Sequence, residues 1–280
     1  MNGEVNLVVA HPLEAKELIE WFELGEVEPR GKYRCYENKK GIALVISGMG
    51  VRNAVNAVDW LHGRQSPGFR AWLNVGIAGH PSAAVGQGLL INRIEHRRSG
   101  DCFWPPIPDL GLQGCGLATV DEPETTYEQD AAFDMEAAGF FAQAAGLTTT
   151  DLVYVFKIVS DNRENPVDEV NLQRVPELFR NLESAIRKLV DHLRERSAAF
   201  ADWYGMPAEF ESLMRRYRFS ATRKAALAQY CRRFRALGMQ GRLSEIARVR
   251  FRDAASLMTA MRLELASASE SGKTSRQGAE

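Results

Sequence analysis

The stretch VNLVVAHPLEAKELIEWF, residues 5–22, decides the fold class. Its first six residues are an apolar run that reads as a buried strand, and from Leu13 to Phe22 the apolar positions recur at helical spacing. The same strand-then-helix unit returns further on. GIALVIS (41–47) precedes a helical pattern from Val51 to Leu61. AWLNV (71–75), GLLINRI (88–94), GLATV (116–120) and LVYVFKIV (152–159) are four more strand candidates, and helical patterns cover Phe133 to Ala145 and about Pro176 to Tyr204. Strands alternating with helices predict an α/β layered domain with a central mixed, mostly parallel sheet. In such sheets ligands gather at the carboxyl ends of strands, so the residues just after each apolar run bear most on function.

Composition bounds the rest. The 280 residues are 45% hydrophobic and 25% charged, ordinary for a globular chain and incompatible with disorder throughout. No apolar run reaches the roughly 18 residues of a membrane span, and Met1 to Glu4 show neither the basic nor the apolar part of a secretory leader, so a cytoplasmic protein is expected. Cys35, Cys102, Cys115 and Cys231 have no CxxC pairing or histidines at ligand spacing, which points to free thiols, no metal site and no cofactor.

The net charge of −1 conceals an asymmetry: residues 1–206 carry 20 Lys and Arg against 29 Asp and Glu, whereas residues 207–265 carry 13 against 5. Gly205, Met206 and Pro207 interrupt the helical periodicity between these parts. The expected division is an α/β domain over 1–206, a basic helical extension over 207–265 and a small, polar, disordered tail over 266–280.

Several polar residues stand where strands end. Glu14 follows the first strand in AHPLEA; SGMG after the second places Gly48 and Gly50 where backbone can approach a ligand at a helix N-terminus; NVGIAGH after the third again offers small residues; Ser160 and Asp161 close the last. Glu136 lies in FDMEAAG among Met135, Ala137 and Ala138, an expensive place for a carboxylate without a partner. Each has a plainer explanation: a first-turn Glu favoured by the helix dipole for Glu14, a turn or capping Asp for Asp161, an exposed helix residue for Glu136. The shared position of Glu14 and Asp161 at the sheet's carboxyl edge weighs against those explanations.

Taken in order, AHPLEA, SGMG, NVGIAG, DMEAAG and IVSDN resemble the nucleoside phosphorylase/nucleosidase superfamily over about residues 4–195, and within it most the 5′-methylthioadenosine/S-adenosylhomocysteine nucleosidases. The resemblance implies a three-layer phosphorylase/hydrolase-like fold and cleavage of an N-glycosidic bond through an oxocarbenium-like transition state. Asp161 would be the acid that protonates the leaving purine, and Glu14 the carboxylate that activates water. Glu136 would bind the ribose hydroxyls and Met135 pack beneath the sugar, with Ser160 beside the acid and main chain around Met49, Ala78 and Gly79 lining ribose and base. A homodimer acting on a 5′-modified adenosine, in the salvage of by-products of S-adenosylmethionine chemistry, is the expectation.

Some features depart from the family. Where phosphorylases often carry an Arg before the third-strand glycine turn, this chain has Asn74, which leans toward hydrolysis; Arg52 and Arg93 are the candidate phosphate ligands otherwise. The aromatic residue that stacks on the purine in the family has no match in VDEPET (120–125), leaving Phe103 or Trp104 as substitutes, and Ile77 replaces a smaller hydroxyl residue. The proline-rich segment around Pro105, Pro106 and Pro108 reads as an irregular loop. A nucleoside-binding module without turnover is therefore the alternative.

Residues 207–265 read as helices over 208–217, from the N-cap Ser220 to before Gly238, and from about Ser244. Phe219, Leu227, Tyr230, Phe234, Leu237, Leu243, Ile246, Leu257 and Met261 are the expected core, with arginines outside. Nucleic acid is a conceivable partner for so basic a part, but arginines that solvate the helices or meet an acidic surface are the simpler reading.

Overall fold

The computed structural model describes residues 3–27, 31–66, 68–166 and 172–274. They form two compact units, residues 1–199 and 200–280, so the division falls inside the long helix rather than at Gly205–Pro207.

In the first unit, β1 (Val5–Val9) leads into α1 (Pro12–Trp21), and a small antiparallel ribbon of β2 (Gly25–Val27) and β3 (Cys35–Glu37) leads to β4 (Ile42–Ile46). α2 (Val51–Arg64), β5 (Ala71–Gly79), β6 (Gly88–His96), β7 (Cys102–Phe103), β8 (Gly114–Thr119) and β9 (Ala132–Asp134) follow. The unit closes with α3 (Ala137–Leu147), β10 (Val153–Asp161), α4 (Val175–Arg180) and α5 (Glu183–Tyr204). The sheet is mixed. β1 pairs in parallel with β4 and β5, β10 with β5, and β8 with β6 and β9; the other five pairings are antiparallel. Because β10 also pairs β5, the strands β5, β10, β6, β8 and β9 close into a ring from which β1, β4, β3 and β2 extend.

The expected helix from Phe133 is a strand followed by a helix. Asp134 is buried in β9, and its carboxylate accepts the Ala137 N–H at 2.8 Å, which starts α3 three residues later. The expected strand 71–75 runs on to Gly79, because Gly76, Ala78 and Gly79 dilute the hydrophobic signal yet the segment pairs with Lys157 to Asp161 of β10. The single helix expected over 176–204 is broken between Arg180 and Glu183.

In the second unit, α6 (Ala208–Arg216), α7 (Ala221–Ala236), α8 (Gln240–Arg248) and α9 (Ala254–Thr274) enclose a core of Phe210, Leu213, Leu227, Cys231, Phe234, Leu243, Ile246, Leu257, Met261 and Leu265. Ser220 caps α7, its hydroxyl accepting from Arg223 N. Leu237, expected in this core, is 49% exposed as the C-cap of α7. Residues 266–274, expected to be disordered, continue α9; adding residues to an established helix costs far less than nucleating one, and Leu265 anchors the last packed turn. Residues 275–280 of the expected tail lie outside the described residues.

Candidate active site

Two polar centres sit three residues apart on the β5–β10 ladder, where Lys157 pairs with Gly76 and Asp161 with Gly79. At about 3.3 Å per residue they are about 10 Å apart.

The first centre gathers Glu14, Glu136, Asp134 and Lys157, all buried. Glu14 does serve its helix: its Oε2 accepts from Ala10 N at 2.8 Å and His11 N at 2.9 Å, and the His11 ring accepts from Leu13 N, a reciprocal cap of α1. Its Oε1 leaves the helix and accepts from Ile77 N at 2.9 Å. The close approach to β5 depends on Gly76, where a Cβ would lie 2.9 Å from Glu14 Oε1 and 3.4 Å from Lys157 Nζ. Glu14 and Lys157 therefore flank one point on the strand.

Glu136 is the N-cap residue of α3 and is 7% exposed, rather than an exposed helix side chain. Its Oε1 accepts from Gly50 N at 2.6 Å. Gly48 and Gly50 both take positive φ, 82° and 98°, so SGMG forms a turn that other residues would strain, and its amide meets the carboxylate from α3. Gly139 allows this meeting: a Cβ there would stand 2.7 Å from Val51 Cγ1 and 2.8 Å from Val51 O, so α2 and α3 pack at backbone distance. Burial, then the nearby Asp134 carboxylate and more weakly Glu14, push Glu136 up to about 7, against the opposing pull of Lys157 and the Gly50 amide.

Lys157 and Asp134 form an ion pair at 2.8 Å with both side chains 1% exposed. Burial alone would lower the Lys157 ammonium, but the carboxylates of Asp134, Glu136 and Glu14 outweigh it and hold its pKa above the ordinary value. Asp134 Oδ1 also accepts from Thr119 Oγ1 at 2.7 Å, and that hydroxyl accepts from Ala138 N, so β8, β9, β10 and α3 are locked together. Neither Lys157 nor Asp134 was singled out from sequence. A lysine inside the apolar run LVYVFKIV was the available signal, since a buried ammonium requires a buried partner.

The second centre is Asp161, 4% exposed, at the end of β10. Ser160 Oγ donates to its Oδ1, and Tyr127 Oη donates to its Oδ2 at 2.5 Å. Gly79 makes room, since a Cβ there would lie 2.5 Å from Asp161 Oδ2 and 3.2 Å from the Tyr127 ring. Tyr127 is buried with φ 49°, its N–H bonds Glu124, and Arg163 donates to its carbonyl. Tyr127, a few positions beyond the stretch 120–125, thus sets an aromatic side chain beside Asp161 with its hydroxyl on the carboxylate. The loop after β8 is irregular, so no periodicity marked it.

Met135 is half-buried, Met49 is 65% exposed, and Ala78 is buried with its carbonyl accepting from Ser160 Oγ. The suggested aromatic substitutes stand elsewhere: Phe103 packs on Phe141 with ring centroids 5.7 Å apart, and Trp104 is 68% exposed. Arg52 is exposed and Arg93 bonds Glu95 at 2.7 Å. Asn74 turns its Nδ2 to Val8 O at 3.0 Å. Among the described residues no group of three or more His, Cys, Asp or Glu could hold a metal ion, the four cysteines are free thiols, and no helix is long and apolar enough to cross a membrane.

No protein-family model matches the sequence, and no curated protein matches it. Solved structures do. A 5′-methylthioadenosine nucleosidase from Arabidopsis thaliana matches at TM-score 0.60 with 19% identity over 69% of this chain and 96% of its own. A 5′-methylthioadenosine/S-adenosylhomocysteine nucleosidase from S. pneumoniae, solved with a transition-state inhibitor, matches at 0.53 with 21% identity over 68% and 98%. An S-adenosylhomocysteine nucleosidase from Streptococcus pyogenes matches at 0.55 with 18% identity over 69% and 98%. About two thirds of the chain thus has the fold of the methylthioadenosine/adenosylhomocysteine nucleosidases.

Proposed function

We propose that the protein is a nucleosidase that hydrolyses the N-glycosidic bond of a purine nucleoside, with 5′-modified adenosines such as methylthioadenosine, adenosylhomocysteine or 5′-deoxyadenosine as the substrate class. The observation that carries this reading is the convergence of Glu14, Glu136 and Asp161, all buried, on two points of one ladder. Asp161 stands at the base end and donates a proton to the purine as the bond to the sugar breaks, so the base leaves neutral. Glu136, steadied by Gly50 N, accepts hydrogen bonds from the ribose hydroxyls and stabilises the positive charge that develops on the ring. Water attacks the anomeric carbon from the side of Glu14, which takes the water's proton. Met135 and Met49 supply apolar contact to the sugar and its 5′ substituent, and Ala78, Gly79 and Ser160 line the base.

Phosphorolysis fits less well. Of the cations considered among the described residues, Arg93 is paired with Glu95, Lys157 is engaged by Asp134, and Arg52 is exposed at the surface rather than buried with Glu14. One observation favours nucleoside binding without turnover: the Tyr127 hydroxyl already occupies Asp161 Oδ2.

Free base is measured after incubating methylthioadenosine, adenosylhomocysteine, 5′-deoxyadenosine and inosine with the protein, with and without phosphate, beside Asp161→Asn. Phosphate-independent release that the variant abolishes is the expected result. Thermal stabilisation by a nucleoside with no release would establish the binding module instead.

A further inference from the structure

Within the second unit, two inter-helix turns are tied together and both are rich in arginine. The first, RRYRF (215–219), links α6 to α7; the second, RVRFR (248–252), links α8 to α9. Arg216 donates from Nη1 to the carbonyls of Ala247 at 2.5 Å and Val249 at 3.4 Å, and Tyr217 Oη accepts from Phe251 N at 2.8 Å. The Tyr217 ring meets Phe219 edge-on at 6.5 Å, and Tyr217, Phe219 and Phe251 all pack on the unit's core. The two turns therefore make one pole.

Arg215, Arg218, Arg223, Lys224, Arg248 and Arg250 are exposed there and form no ion pair among the described residues. Neither stretch contains a carboxylate; the next residue, Asp253, is bonded by Ser256 and Arg252 and held at about 2, chiefly by the Ser256 amide and hydroxyl. Elsewhere on the unit Arg242 meets Glu245 and Glu264, while Arg232, Arg233 and Arg262 are exposed without an ion pair among the described residues but lie outside the two tied turns. Charge at the pole has been left uncompensated while the backbone beneath it is fixed. α7 begins from the same turn, adding the positive end of its dipole.

We propose that this pole binds the phosphodiester backbone of nucleic acid without sequence preference. Five of the six unpaired cations are arginines, whose planar forks match phosphate oxygens. The aromatic residues of both turns face the core, so the pole offers a bilayer no apolar face beyond Val249. This interaction is independent of the nucleosidase reading.

Binding of the full-length protein to a fluorescent 20-base-pair DNA duplex and its RNA counterpart is measured by anisotropy across salt concentrations, beside phosphatidylserine vesicles. With six contacts, log K against log salt should fall with a slope of about −5, a loss of roughly a thousandfold from about 50 to 200 mM. The doubles Arg248→Gln/Arg250→Gln and Arg215→Gln/Arg218→Gln should each make the slope shallower by about 2 with unchanged melting curves, whereas Arg242→Gln should bind as the parent does. Absence of duplex binding, a slope near zero, equal effects of Arg242→Gln and the doubles, or vesicle binding without duplex binding would each overturn the proposal.

Discussion

Replacing Glu136 by Gln should make the protein more stable at alkaline pH and change little at acid pH. In the folded chain Glu136 titrates at about 7 instead of the ordinary 4.5, because it is buried beside Asp134 and Glu14. A carboxyl whose folded value is raised binds its proton more tightly in the folded state, so its contribution is intact below 4.5 and is lost as pH rises through 7. At 1.36 kcal/mol per pH unit, the interval between these values corresponds to about 3 kcal/mol, of which about 2.5 kcal/mol falls between about pH 5 and pH 8. Glutamine imitates the protonated acid and still accepts from Gly50 N, so it removes the titration while keeping the bond.

The assay is urea unfolding of parent and variant at pH 5, 6, 7 and 8, on the order of the window just derived. Every other titrating group is common to both chains, so the difference between the two curves isolates Glu136. The variant should gain about 2.5 kcal/mol on the parent from the acid to the alkaline end. Curves that stay parallel within about 0.5 kcal/mol would show that Glu136 is ionised throughout, and the account of its burial would fall.

Lys157→Met leaves Asp134 buried without its counter-ion and should cost about 3–5 kcal/mol by urea unfolding, most of it recovered when Asp134→Asn is added. Gly139→Ala places a methyl against Val51 O and should cost about 1–3 kcal/mol despite alanine's better helix propensity, with base release falling further than stability accounts for because Glu136 is moved from Gly50. Tyr127→Phe removes a hydrogen bond to a buried carboxylate, about 1.5–3 kcal/mol of stability, yet should lower KM for a nucleoside because Asp161 Oδ2 no longer has to exchange partners; an unchanged KM would mean that base and hydroxyl use different oxygens. A ribose analogue with a permanent positive charge at the anomeric position should bind more tightly as pH rises toward 7, by up to about tenfold per pH unit, and titration calorimetry should show this dependence disappear in Glu136→Gln.

The parts of the site that lie on regular elements were legible in the sequence. Asp161 follows an apolar run and Glu14 opens an amphipathic helix, so periodicity placed both at the ends of strands. Glu136 was found through its motif, but its setting was misread: Phe133 and Asp134 look helical beside the alanines, and only the pairing with β8 and β5 shows them to be strand. That pairing is long-range and leaves no local trace. Tyr127 lay hidden for a related reason, since its loop is ordered by single bonds to Glu124, Arg163 and Asp161 rather than by any repeat. In the second unit Ser220 and Gly238 bounded α7, but the single helix expected from about Ser244 is two, α8 from Gln240 and α9 from Ala254, with a break over 249–253; the union of two arginine-rich turns depends on Arg216 and Tyr217 reaching residues about thirty positions away.

The charge balance of the first centre explains why these features occur together. Glu14, Asp134 and Glu136 against Lys157 leave a net of −2 when all four are ionised, in a place with almost no access to water. Such a site relieves the excess by taking up a cation or a proton, and a proton on Glu136 at about 7 is the relief available to the empty protein. A sugar ring that becomes positive as its bond to the base breaks offers the same relief at the point in the reaction where stabilisation lowers the barrier. Under the proposed nucleosidase reading the proton then leaves Glu136, and the carboxylate it exposes, held by Gly50 at the start of α3, is the one assigned to the ribose hydroxyls. Lys157 reduces the deficit from three charges to two, so that one proton or one transient cation at Glu136 leaves the centre at −1 rather than −2.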